Sequence, residues 1–323
     1  MRMKKFVLFI TLFVSSLLTY AQPVPAEVEN IPYLVTFGKD AARSWGDDDY
    51  CQIFFFSIPD DFNQPVYLRI FDPECGGEID EMNEGFDTMT RFTVYGGDGC
   101  ISNEDARETD PVGNYDSGNM LATKTFGSKL TYDNDWYTFG PFNPSEGEHT
   151  NKYGGNVFKL ICEGIRGNDG NLYRYYMSTE PDRNVPVEGG NAFTFEYTFR
   201  LHSDPFQTSH IYPYIDEHVV SVMQSNFDWD SDGFIKIFSV TTLGESLSTS
   251  GDDEWKQGQY KVKPDELESS LDIQFTKDDK NLVNNNNVVF YVRNQYGELL
   301  PFYTAPIGGV PQPKGGKITF TPK

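Results

Sequence analysis

Short apolar runs bounded by Gly, Pro, Asn or Asp constrain the fold of this chain more than any other feature. At 193–199, Phe193, Phe195, Tyr197 and Phe199 occupy every second position. Successive side chains of a β-strand point to opposite faces, so this period predicts a strand with one buried face. Similar runs recur as CQIFFFSI, VYLRIF, RFTVYG, WYTFGPF, VFKLIC and LYRYYMS. Long helical patterns are missing from the sequence, which therefore predicts an all-β protein.

The runs fall into two series, from which we expect two antiparallel β-sandwich domains of the jelly-roll or Ig-like type. The strands over 28–202 predict the first domain. A second series over 205–323 predicts a smaller sandwich, and the segment HSDPFQTSH at 202–210 is the expected connection. The runs of the second series are HVVSVMQ, GFIKIFSVT, GQYKVKP, LDIQFT, VVFYVRN and KITFTP.

Residues 1–21 have the three parts of a secretory signal peptide: basic residues, an apolar stretch and a small-residue cleavage site. Thr19 and Ala21 stand at the −3 and −1 positions of a cut before Gln22. The apolar run is not followed by a cysteine for lipid attachment. No other run approaches the roughly 18 residues of a spanning helix. We therefore expect an exported protein without direct membrane insertion, extracellular or associated with the cell surface or outer membrane.

The chain is strongly acidic, with 48 Asp and Glu against 26 Lys and Arg and a formal net charge of −22. A field of this sign repels nucleic acids and anionic lipid surfaces. Nucleic acid is therefore not an expected partner. Divalent cations, basic partners and simple solubility outside the cell remain open.

Four cysteines are present, and an even count in an exported chain predicts disulfides. Cys75 and Cys100 each follow a strand-like run, so we pair them, which leaves Cys51 with Cys162. A zinc site would need closer spacing such as C-x-x-C, which the sequence lacks.

The stretch DWDSDG at 228–233 resembles the first half of a calcium loop. Asp228, Asp230, Asp232 and Gly233 match positions 1, 3, 5 and 6 of an EF-hand, but position 12 is Ser239 instead of Glu. The EF-hand assignment therefore fails. Two interpretations remain: a calcium loop of another type, and a solvated hairpin turn with Asp232-Gly233 at its corner.

The first series contains further carboxylates at the ends of strands, where edge loops of two sheets can converge. Calcium is bound by six to eight oxygens, and an extracellular site binds it at about 10⁻⁴ to 10⁻³ M. These residues predict a structural Ca²⁺ site, with solvated acidic turns as the alternative. The candidate ligands are Asp47, Asp48, Asp49, Asp72, Glu74, Asp133 and Asp135, together with the neighbouring Glu78 and Asp80.

The sequence contains no recognisable catalytic constellation. The histidines lack H-E-x-x-H spacing, and neither a G-x-S-x-G elbow nor a phosphate-binding glycine pattern occurs. With 48 acidic residues, carboxylate pairs arise by chance and say little. We therefore predict that the protein is not an enzyme. The four histidines are His149, His202, His210 and His218.

Exposed aromatic side chains would indicate a glycan-binding surface, because sugar rings stack on them. The alternative is that these side chains fill the cores. Sequence does not separate the two, since exposure decides. The candidates are Trp45, Trp136, Trp229, Trp255, Tyr173, Tyr175 and Tyr176.

The stretches at 33–59, 184–201 and 209–237 resemble the β-rich N-terminal region of OmpA/MotB-like envelope proteins of Gram-negative bacteria. The likeness does not extend to their peptidoglycan-binding domain, so peptidoglycan binding is not implied. More weakly, FDPECGG and YDNDWYTFGPF are similar to pre-peptidase C-terminal jelly rolls, which are accessory modules that often bind calcium. Neither resemblance assigns a reaction.

The expected function is that of a secreted or cell-surface binding or scaffold component of an outer-membrane or envelope assembly, with envelope proteins as partners. A carbohydrate-binding module or adhesin is the first alternative. A hydrolase, which would need an acidic pair inside a cleft, is the second.

Overall fold

The computed structural model describes residues 21–42, 50–109, 113–278, 286–308 and 310. Within these ranges the chain forms twenty β-strands and no α-helix. All pairings between these strands are antiparallel, and the strands build two large sheets that enclose a common core. The predicted all-β sandwich class is confirmed. The short 3-10 turns are Glu27–Glu29, Glu104–Arg107, Pro144–Glu146, Asn151–Tyr153 and Pro264–Glu266.

No helix in the described part of the chain is long and apolar enough to span a membrane. The predicted signal peptide lies outside the described residues except for Ala21, as does the run KITFTP.

The first sheet has eight strands. In spatial order they are β16 (Trp255–Lys261), β13 (Ser221–Phe227), β19 (Asn287–Asn294), β11 (Glu196–Arg200), β1 (Tyr33–Phe37), β9 (Gly170–Ser178), β3 (Val66–Phe71) and β6 (Trp136–Phe142).

The second sheet has ten strands along its main path, and β17 (Ser269–Ser270) and β7 (Glu148–Thr150) pair with its members β12 and β8 off that path. In spatial order the ten are β15 (Leu243–Leu247), β14 (Gly233–Phe238), β18 (Asp272–Lys277), β12 (Thr208–Ile215), β20 (Phe302–Tyr303), β10 (Asn191–Thr194), β2 (Cys51–Ile58), β8 (Gly155–Arg166), β4 (Met89–Gly96) and β5 (Asn119–Phe126).

Strand β2 is buried on both faces, which explains its almost unbroken apolar sequence. Phe54 and Phe56 belong to the main core between the sheets. Ile53 and Phe55 face the other way, into a second cluster that includes Tyr115 and others. A strand covered on both sides has few positions where a polar residue would be tolerated.

The alternating run at 193–199 is not one strand, as the period suggested. Phe193 belongs to β10 in the second sheet, whereas Tyr197 belongs to β11 in the first. The chain changes sheets between them. Thr194 lies at this crossing, with its Oγ1 atom 2.5 Å from Ile53 O and 2.9 Å from Glu196 O. Both apolar segments stay buried, because Phe193 packs into the second cluster and Tyr197 packs into the main core.

Both sheets continue across the expected domain boundary near 202–205. Strand β11 pairs with β19, and β10 pairs with β20, so elements of the first series lie beside elements of the second. The main core also includes residues of both series, from Val24 to Phe302. The division into domains at 28–202 and 205–323 stays a prediction.

Candidate functional site

Two acidic loops meet at one end of the sandwich. The loop after β13 contains Asp228 and Asp230, and the loop before β16 contains Asp252. One carboxylate oxygen from each of the three lies within 4.8 Å of the others. Main-chain bonds hold the loops together: the Ser231 N–H donates to Ser250 O at 2.9 Å. The structure therefore brings together two of the three carboxylates predicted from DWDSDG and adds a third from a distant stretch.

Asp228 carries the strongest electrostatic perturbation of this group. Burial raises the pKa of its carboxyl to about 7, and repulsion from Asp230, Asp252 and Asp253 adds to the rise. The Asp253 N–H offsets part of it by donating to Asp228 Oδ1 at 2.9 Å.

Asp232 is not part of this group of three carboxylates. It is buried and forms an ion pair with Lys277, with 3.1 Å between Oδ2 and Nζ. The hairpin interpretation of this loop is also wrong. Strand β13 pairs with β16 and β19, whereas β14 pairs with β15 and β18, so the loop crosses from one sheet to the other.

The carboxylates predicted in the first series are only partly brought together. Asp72, Glu74 and Asp133 lie at one loop junction beyond β3, together with Asp80. Burial raises the pKa of Asp72 to about 7, and repulsion from the other three adds to the rise. Asp135 is joined to Asp72 through its main chain, whose carbonyl accepts from the Asp72 N–H at 2.9 Å, and its Oδ1 accepts from the Trp136 N–H. Asp47, Asp48 and Asp49 lie outside the described residues.

All four cysteines are buried thiols, and no disulfide joins them. Cys51 and Cys162 lie on paired strands, but Cys51 is opposite Glu163 and Cys162 is opposite Gln52. Their side chains therefore point to opposite faces of the sheet and enter different apolar clusters. Because a disulfide needs Cβ atoms that face each other, this predicted pairing does not fit the register.

The histidines contact different partners. His210 Nδ1 is 2.8 Å from Asp272 Oδ1 on the neighbouring strand, and His202 Nε2 is 2.7 Å from Asn30 O. His149 forms an exposed pair with Asp60, and His218 lies in the turn before β13.

The aromatic candidates differ in their exposure to solvent. Trp229, Tyr173 and Tyr175 are buried in the main core. Trp136 and Trp255 are each half-buried, whereas Trp45 lies outside the described residues. Tyr176 is also half-buried, so these three side chains offer ring surface to a ligand.

Trp136 and Tyr176 line a pocket of about 410 Å³ together with Tyr33 and Arg174. The segment 23–31 forms its other side and is anchored by the Met177 N–H, which donates to Val24 O at 2.9 Å. On the aromatic side, Trp136 packs against Phe71 with ring centroids 5.4 Å apart.

Polar groups converge on the same pocket. Asn30, Asn184 and Glu27 line it, and the guanidinium of Arg174 lies 4.3 Å from the centre of the Phe71 ring. Glu29 lies among its lining residues but is buried, and the Tyr197 hydroxyl donates to Glu29 Oε1 at 2.6 Å. The sequence identified Trp136 and Tyr176 as candidates but not the other lining residues, because these come from segments that are distant along the chain.

Burial raises the pKa of Glu29 to about 8, and the hydrogen bond from Tyr197 offsets part of the rise. From about pH 4.5 to 8 the folded chain holds a proton that the unfolded chain releases, so unfolding free energy falls as pH rises. The slope from this group is about 1.4 kcal/mol per pH unit. Between pH 6 and pH 8, we expect the unfolding free energy of the wild type to fall by about 2 kcal/mol more than that of Glu29→Gln.

Denaturant titrations at both pH values measure this difference. Glu27→Gln is the matched control, because Glu27 is an exposed carboxylate of the same turn and should leave the pH dependence as in the wild type. Equal slopes for the wild type and Glu29→Gln would show that Glu29 is already ionised in the folded chain.

Comparisons with known proteins establish no family. No family model and no curated protein matches the chain. Among solved structures, the Macrobrachium rosenbergii nodavirus structure is 10% identical, covers 90% of this chain and 95% of its own, and has a TM-score of 0.17. The N-terminal CBM22 tandem domain from Paenibacillus barcinonensis is 13% identical, with coverages of 75% and 79% and a TM-score of 0.17. At these scores neither likeness bears on function.

Proposed function

We propose that this chain is a non-catalytic, exported binding protein whose ligand is a carbohydrate held in the pocket of Trp136 and Tyr176. The observation that supports the proposal is the combination of half-buried aromatic rings with amide, carboxyl and guanidinium groups around one concave space. Binding sites for small ligands usually combine apolar walls with a few oriented polar groups.

The chemistry of the lining suits a sugar ring. The C–H face of a pyranose packs on an aromatic ring, and its hydroxyls need both donors and acceptors. Asn30 and Asn184 supply amides, and Arg174 supplies a guanidinium. Asn184 Oδ1 accepts from Arg69 at 2.5 Å, which holds this amide in one orientation. The site is therefore organised before a ligand arrives, which lowers the entropic cost of binding.

A role as a scaffold in an envelope assembly is the second candidate, and the open edge of the second sheet supports it. Strand β5 pairs with β4 on one side and, within the described residues, has no strand on the other. Met120 on this strand is 59% exposed. An edge of this kind can accept a strand from a partner protein.

We expect Trp136→Ala to lose at least about tenfold in affinity for its glycan, because a stacked aromatic anchor contributes more than about 1.4 kcal/mol. An array of microbial, plant and mucin oligosaccharides would identify the glycan, and calorimetric titration would then compare the variants. Trp255→Ala is the matched control, since Trp255 is also half-buried but contacts Phe227 and Tyr291 away from this pocket.

The pocket assignment would be contradicted if Trp136→Ala and Trp255→Ala lost glycan affinity equally, or if Trp136→Ala bound the glycan as tightly as the wild type. If no array member binds and wild type and Trp136→Ala recover the same protein from envelope extracts, the scaffold candidate is favoured instead. Circular dichroism melts check that each variant is folded.

A further inference from the structure

Asp72 is in an environment that carboxylates rarely occupy without a partner. It follows β3, has a left-handed backbone with φ of 54°, and is fully buried. Neither carboxylate oxygen accepts a hydrogen bond. The Asn134 N–H is close enough to influence the carboxylate but lies outside hydrogen-bonding geometry. Buried carboxylates are normally hydrogen-bonded, paired with a base or bound to a metal, so this one requires an explanation.

A second buried oxygen at the same junction also has no hydrogen-bond partner. Asp133 Oδ1 is enclosed there, next to Gly77. A Cβ atom on residue 77 would lie 1.7 Å from Asp133 Oδ1, so the chain passes this oxygen at a distance that glycine alone allows. Asp72 therefore buries two carboxylate oxygens, and Asp133 one, without a hydrogen bond, and the two carboxylates are close enough to repel each other.

The surrounding acids are held by the main chain instead of by basic side chains. Asp80 accepts from the N–H groups of Gly76 and Gly77 at 2.7 and 3.1 Å, and from that of Leu172 at 2.8 Å. Glu74 Oε2 accepts from the Tyr132 N–H at 2.6 Å. Among the salt bridges within the described ranges, none involves Asp72, Glu74, Asp80 or Asp133. Arg200, which is ion-paired with Glu81, acts on Asp80 only through longer-range attraction.

We propose that a calcium ion binds at this junction, with the carboxylates of Asp72 and Asp133 as its protein side-chain ligands. The donors are all hard oxygens on irregular loops, which suits the variable coordination of Ca²⁺ better than the strict octahedron of Mg²⁺. Backbone carbonyls and waters would complete its six to eight ligands. The ion would join the loop after β3 to the loop before β6. The proposal is independent of the carbohydrate pocket.

The test is thermal unfolding of the full chain, with calcium in excess or with chelator. We expect calcium at about 100 times its dissociation constant to raise the wild-type Tm by about 5 °C. Asp72→Asn should lose this rise, because it removes the principal charged ligand. In chelator the same variant should melt at or above the wild-type temperature, since it no longer buries a charge. A purely structural carboxylate would give a lower melting temperature in both conditions.

Asp228→Asn is the matched control, because Asp228 belongs to the other acidic cluster, and it should retain the calcium response. Asp133→Asn provides a second variant if Asp72→Asn does not fold, and it should also lose the response. Equilibrium dialysis with calcium alone measures stoichiometry, and magnesium and zinc serve as competing ions. The proposal is overturned if the wild type neither binds calcium nor shifts in Tm, if Asp72→Asn and Asp133→Asn keep the response, or if only Asp228→Asn abolishes it.

Discussion

The Asp232→Ala variant is expected to lose about 3–5 kcal/mol of unfolding free energy, the usual effect of breaking a buried ion pair by removing one partner. Asp232 and Lys277 are both buried, with 3.1 Å between their charged atoms. Burial lowers the pKa of Lys277, and its pairing with Asp232 opposes that shift. Without the Asp232 carboxylate, the buried ammonium loses its ion pair. Denaturant unfolding at pH 7, followed by circular dichroism, measures the loss.

Two controls test whether the loss of unfolding free energy is specific to the ion pair or follows from any substitution in this loop. Asp230→Ala, only two positions away, removes a half-buried carboxylate that is repelled by its neighbours, and it should change stability by less than about 1 kcal/mol. A double variant, Asp232→Leu with Lys277→Met, removes both charges and should recover most of the loss. If Asp232→Ala unfolds within about 1 kcal/mol of the wild type, the pair does not hold these strands together.

Phe54→Ala is expected to cost about 3–5 kcal/mol, because it leaves a cavity in the centre of the main core. Phe54 is fully buried, and its ring centroid lies 5.1 Å from that of Tyr175 and 6.1 Å from that of Tyr197. Since the core and both sheets contain residues from the two halves of the sequence, we expect one calorimetric transition that shifts as a whole.

The same experiment tests the predicted domain boundary. Two independent domains would give two transitions, and Phe54→Ala would move only the one that contains residues 28–202. Phe234→Ala on β14 is a suitable control, because that side chain is 50% exposed and its removal should cost less than about 1 kcal/mol.

The sequence predicted most strands well, because period-two alternation and turn residues report directly on local backbone. CQIFFFSI, VYLRIF and WYTFGPF coincide with β2, β3 and β6. Alternation does not reveal which sheet a strand joins. The run at 193–199 keeps its period while the chain crosses from one sheet to the other, so the crossing at Thr194 leaves no mark on the pattern.

The candidate sites were less predictable, because they depend on contacts between distant segments. Asp228 and Asp230 were identified from their loop, but Asp252 comes from a separate acidic turn whose position the sequence does not give. Asp232 shares their spacing yet points to Lys277, since side-chain direction in an irregular loop does not follow a period. Counting cysteines likewise ignores register, which places Cys51 and Cys162 on opposite faces of the sheet.

The positions of β19 and β20 have a consequence for how the protein is made. Strand β19 lies between β13 and β11, and β20 lies between β12 and β10, so the last described strands occupy interior places in both sheets. A nascent chain still inside the ribosome lacks these strands, and neither sheet can close until residues near 303 have emerged. Such late, non-local pairing makes folding slow. The two sheets therefore complete their strand order only after nearly all of the described residues have been synthesised.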